Sequence, residues 1–141
     1  MPAFFDWRAD TRGTSAVEFA ILAPVFLLML TGMLAYGLYF GAAHSLQQLA
    51  ADAARTAIAG LDEKERRDLV KAYLDTVAES HPLIQRERLV ETIRDKPGDE
   101  DHYRITLSYD AANLPIWSLY PPLPLPSRAI IVTATIRQGG I

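Results

Sequence analysis

The chain has no cysteine, so disulfides, thiolate nucleophiles and cysteine-bound metals are all excluded. Any domain it places in an oxidising compartment must hold together by packing alone. Histidine is scarce: His44, His81 and His102 are scattered, with no two at metal-ligand spacing. There is no excess of positive charge. A net charge of -3 and a pI near 5.5 leave no basic footprint with which to displace counterions from phosphates, so nucleic acid is not an expected partner. No phosphate-cradling loop or catalytic triad is legible. Asp95, Asp99, Glu100 and Asp101 lack the ordered spacing of a calcium loop and read as a solvated hairpin turn. The chain is therefore expected to act without turnover, metal or cofactor.

What is present is apolar and unevenly distributed. The 141 residues have room for one compact module, half of them are hydrophobic, and these gather near the N-terminus. Residues 19–40 form 22 consecutive positions without a charge. As a helix, they would span about 33 Å, enough for a hydrocarbon core of about 30 Å. A soluble core helix is rarely apolar all round for so long. Gly41, Ala42 and Ala43 follow as small residues, but the run exceeds the about 7 to 15 apolar residues of a cleaved secretory signal. Arg8 and Arg12 precede it and favour a cytoplasmic N-terminus, although Asp6 and Asp10 mix the charge.

Glu18 stands at the lip of this run, directly before Phe19. A carboxylate at the centre of a bilayer costs about 2.5 to 3.5 kcal/mol and less near an edge, so it usually has a partner or a purpose. Physics alone also allows a headgroup-level residue favoured by the helix macrodipole. Pro24 removes one backbone donor inside the run and bends the helix. Gly37 and Gly41 form a small-x-x-x-small pair, and Thr31 with Ala35 a second one, either of which lets helices approach closely.

The stretch Arg12-Gly13-Thr14-Ser15-Ala16-Val17-Glu18-Phe19-Ala20 resembles the processing site of type IV-type prepilins. With Ile21-Leu22-Ala23-Pro24-Val25-Phe26 behind it, the segment is similar to the start of TadE-like proteins of the tight-adherence (Flp) pilus apparatus. This resemblance implies cleavage by a prepilin peptidase between Gly13 and Thr14, making Glu18 the fifth residue of the mature chain. It also implies that Glu18 neutralises the N-terminal ammonium of a neighbouring subunit and sets its axial register. Glu18 and Phe19 would then be assembly residues. Chemistry agrees with the spacing, since Thr14 and Glu18 lie one turn apart on nearly the same helix face.

Beyond residue 40 the helical period continues. Leu46, Leu49, Ala50, Ala53, Ala54, Ala57 and Ile58 recur at three- and four-residue intervals, and Gly60 is placed to cap a long stalk. Asp62 with Glu65 predicts a capping box, opening a second amphipathic helix with Leu69, Val70, Tyr73, Leu74 and Val77 on its apolar stripe and a close at His81 and Pro82. Then the period becomes two. Tyr103, Ile105, Leu107 and Tyr109 alternate with polar residues, as do Ile130, Val132, Ala134 and Ile136, predicting two half-buried strands. A less regular strand over 88–95 precedes a turn at 96–99, and the second helix is expected to cover one face of the sheet. Residues 114–126 carry five prolines beside Trp117 and Tyr120, a segment that either docks a partner subunit or packs its tryptophan on its own sheet.

The expectation is an α+β, pilin-like chain: a leader over 1–13, a transmembrane and stalk helix over 14–60, and a periplasmic domain over 61–141 with a second helix and a three-stranded antiparallel sheet. The resemblance implies a minor pilin or pseudopilin for a pilus of adhesion and biofilm formation. Its expected partners are other pilin and pseudopilin subunits, prepilin peptidase, inner-membrane platform proteins and membrane lipid. The alternative is an unprocessed single-pass inner-membrane protein whose periplasmic domain binds a partner.

Overall fold

A computed structural model describes residues 12–96, 99–119, 124 and 126–137. Helix α1 (Arg12–Ala57) is followed by α2 (Glu63–Val77), then strands β1 (Leu89–Lys96), β2 (Asp99–Asp110) and β3 (Ala129–Arg137), with short 3-10 turns between them. The strands form one antiparallel sheet in the order β1-β2-β3. The layout is α+β.

Alternation explains the sheet. Tyr103, Ile105, Leu107 and Tyr109 are all buried and face Ile136, Ala134, Val132 and Ile130 across the β2–β3 ladder. The other face carries Thr92, Thr106 and Thr133 in one row, and the hydroxyls of Thr106 and Thr133 lie 3.2 Å apart. A register slip of one residue would turn every one of these apolar groups to water. Asp99, Glu100 and Asp101, predicted in the turn, belong instead to β2. Asp99 pairs with Lys96 of β1, and the register shifts between Asp95 and Lys96, so Glu100 and Asp101 fall in an irregularity of the ladder. Pro97 and Gly98, at the centre of the predicted turn, lie outside the described residues.

The element that covers the sheet is α1. It packs against β2 and β3 on one side and against α2 on the other, which corrects the expectation that α2 would be the cover. The reason is side-chain size. Ala42, Leu46, Leu49, Ala50, Ala53, Ala54 and Ala57 are at most 1% exposed, and their alanines let two neighbours approach the same helix. Ile58 sits on that stripe by period but is 59% exposed, because α1 ends at Ala57 and the turn carries the next residue outward.

Capping makes the second helix. Asp62 accepts a 2.8 Å bond from the Glu65 backbone, while the Glu65 carboxylate reaches back to the Leu61 N–H at 2.7 Å. Gly60 is required for space and has no left-handed backbone. A Cβ there would lie 2.6 Å from Arg66 Cγ and 2.8 Å from Arg66 N. The corner between the helices is thus too tight for a side chain, and Arg66 Nε donates to the Gly60 carbonyl across it.

Two polar arrangements close the module. Arg86, whose side chain is 19% exposed, donates from Nε to Asp75 at 2.6 Å and holds Glu91 with both terminal nitrogens at 3.2 and 3.3 Å. Burial opposes its charge, but these carboxylates outweigh burial and raise the guanidinium pKa. Arg86 ties α2 to β1. Replacing Arg86 with alanine is expected to cost about 2 kcal/mol, since it strands a half-buried carboxylate and the Leu89 carbonyl. Thermal unfolding of the full chain in detergent, followed by near-ultraviolet circular dichroism, measures this. The second arrangement centres on Tyr109, whose hydroxyl accepts from the Gln85 N–H at 3.3 Å. Its one proton goes to either the Leu83 carbonyl or Asn113 Oδ1, at 3.0 and 2.9 Å.

Candidate functional site

The candidate site is the first half of α1. The helix runs unbroken through Pro24, and from Val17 to Leu34 its large apolar side chains are exposed, between 42% at Leu28 and 72% at Phe19. Soluble monomers do not leave so long an apolar surface uncovered. Among the described residues, this is the one helix long and apolar enough to cross a membrane. Thr31, its lone hydroxyl, turns back to the carbonyls of Leu27 and Leu28 at 2.9 and 3.0 Å, so no side-chain polar group of the middle section lacks a partner.

The bare rod ends abruptly. Ala35 is fully buried, and Leu38, Tyr39 and Ala42 pack into the domain core. The apolar run therefore has two environments, with Ala35, Leu38 and Tyr39 already against the domain core. Residues 17–34 alone would span about 27 Å as a helix. Hydropathy could not find this seam, because a leucine toward lipid and a leucine toward a protein core read alike.

Glu18 lies one turn from Thr14 and is exposed on the helix surface. Among the described residues, it makes no hydrogen bond and no ion pair. Among the described residues, Gly13 has nothing within 4 Å of where a Cβ would stand, so none of them crowds the peptide bond expected to be cut. Phe19, Leu22, Ala23, Phe26 and Leu27 frame an all-apolar hollow of about 430 Å³ beside Pro24. Such a hollow fits a side chain from another helix.

Of the two small-residue pairs, one member each is taken up internally. Gly37 has open space around it, whereas a Cβ at Gly41 would stand 3.2 Å from Leu83 Cδ1, and Ala35 is buried. Trp117, in the turn Pro115–Ser118, is half-buried and donates its indole N–H to the Ala111 carbonyl at 2.7 Å. Tyr120 and residues 1–11 of the expected leader lie outside the described residues. A feature that sequence reading missed is the bond from the Tyr36 hydroxyl to the Pro124 carbonyl, 88 positions away, which no local pattern signals.

No curated protein and no solved structure matches this chain. The lone carboxylate and the first part of the bare apolar rod lie in the segment 12–26 that carries the prepilin-like pattern. Residues 13–55, most of α1, match the family model described as TadE-like protein.

Proposed function

We propose that this chain is a minor pilin or pseudopilin of a tight-adherence pilus, processed between Gly13 and Thr14 and held in the inner membrane by residues 17–34 until it joins or primes the filament. The domain faces the periplasm, and the role is assembly in support of adhesion, without turnover. The observation that carries this reading is the bare apolar rod with a single unpartnered carboxylate one turn inside its start. A rod of this kind needs lipid first and other helices later, and both environments penalise an unpaired Glu18. Cleavage supplies the missing charge: the new ammonium at Thr14 can pair with Glu18 of an adjacent subunit, and wrong registers leave both charges unpaired. Gly37 and the apolar hollow framed by Phe19, Leu22, Ala23, Phe26 and Leu27 are the places where a second helix can seat. The partners are then other pilin subunits, prepilin peptidase and the platform proteins of the pilus machine.

Intact-mass spectrometry of the protein from cells with an active prepilin peptidase tests the reading. A mature N-terminus at Thr14 is expected. Retention of residues 1–13 would leave a single-pass anchored domain and remove Glu18 from any assembly role.

A further inference from the structure

We propose that the end of the domain nearest the exposed helix is a seat for phospholipid headgroups, built from Tyr36, Phe40, Trp117, Pro124 and Arg128. The proposal rests on the reading of residues 17–34 as a membrane span and adds to it a contact between the folded domain and the bilayer surface.

Position comes first. Leu34, the last exposed apolar residue of the rod, is about half a turn from Tyr36 and less than two turns from Phe40. The Tyr36 hydroxyl is bonded to the Pro124 carbonyl, and Trp117 and Leu119 pack on the same core as Leu38 and Tyr39. Pro124 thus sits at the level of Tyr36, and Gly41 against Leu83, the Tyr109 hydroxyl on the Leu83 carbonyl and the Trp117 indole on the Ala111 carbonyl lead from the same part of α1 to the turn Pro115–Ser118. Phe40 stays 62% exposed at that level. Arg128 is exposed, with its guanidinium carbon 5.2 Å above the Trp117 ring.

Composition points the same way. From residue 111 to residue 128 the single charge is Arg128, in a chain with 17 acidic side chains. A stretch of sequence without acidic residues, with aromatic rings and one cation, suits the headgroup layer, where indole and phenol rings partition and a guanidinium meets phosphate. The Trp117 N–H is already bonded within the domain, so Arg128 supplies the polar contact and the ring its platform. Continuity selects lipid over another macromolecule, because this surface is the rim of the helix segment that lipid already surrounds. A seated domain also fixes depth. With Ala35 at one hydrocarbon edge, the about 27 Å of helix below it brings Glu18 to the other edge.

The chain has two tryptophans, Trp7 and Trp117, so Trp7→Phe leaves Trp117 as the sole indole. The full-length variant is reconstituted into phosphatidylcholine vesicles containing phosphatidylglycerol, with nitroxide lipids labelled near the headgroup or at mid-chain. Trp117 fluorescence is expected to be quenched about twofold more by the shallow label than by the deep one, as for an interfacial ring. Adding Arg128→Glu is expected to abolish that difference. A companion chain with Trp7→Phe, Trp117→Phe and Leu27→Trp reports on the span itself and should be quenched chiefly by the deep label. Deep quenching at position 27 with no shallow quenching of Trp117 would overturn the seat and leave the span standing. No quenching at position 27 would overturn both. Shallow quenching unchanged by Arg128→Glu would also overturn the proposal, since the cation is its polar contact.

Discussion

Exchanging Glu18 for glutamine is expected to leave the domain folded and the chain processed, while depressing its incorporation into pili by roughly thirtyfold at each addition step. That factor corresponds to about 2 kcal/mol, the usual worth of a hydrogen bond to a charged group. Glutamine keeps the shape and loses the charge, so the Thr14 ammonium of the adjacent subunit would stay unneutralised. The chain has no substitute acceptor at that level. Residues 11–51 contain no other acidic side chain, and Glu18 has no internal partner among the described residues whose loss could disturb the fold. Immunoblotting of sheared pilus fractions against whole cells measures incorporation, and intact mass on the same material shows whether cleavage after Gly13 persists. Wild-type levels of the glutamine variant in the sheared fraction would end the assembly role of Glu18.

The second large effect concerns the seam at Ala35. Leu46→Ala is expected to destabilise the domain by about 3 kcal/mol, within the range of about 2 to 5 for a leucine truncated in a packed core. Leu34→Ala, the same chemical change twelve positions earlier on the same helix, is expected to leave domain unfolding unaltered. Leu46 is fully buried where α1 meets the sheet, whereas Leu34 is 57% exposed. Truncating Leu46 therefore opens a cavity, and truncating Leu34 removes surface that touches only the surroundings of the chain. Thermal unfolding in detergent, read from the tyrosine and tryptophan signals of the domain, separates the two. Equal destabilisation would mean that the domain grips the helix below Ala35.

Much of the fold was legible because it obeys local periods. The two-residue alternation of β2 and β3 and the stripe of Val70 and Leu74 on α2 are direct consequences of which side chains must leave water. The Asp62 and Glu65 cap was legible for a different reason: it satisfies backbone donors within one turn. The misreadings have a common cause. Ile58 continues the apolar period past the helix end, and Asp99 to Asp101 open β2, whose first residue pairs with Lys96 of β1. Gly60 looked like a capping residue, yet the demand on it comes from Arg66 six positions on, through contact rather than conformation.

Residue types and their spacing alone settled that a long apolar helix precedes a small α+β module, and that one carboxylate stands alone near the start of that helix. Those properties depend on transfer between water and apolar surroundings, which each side chain carries with it. Only the tertiary structure decided where the rod stops being bare, which element covers the sheet, and that Tyr36 of α1 meets Pro124 of the proline-rich segment. These depend on which surfaces meet across the chain, and an apolar side chain is equally content against lipid, strand or helix until packing chooses for it.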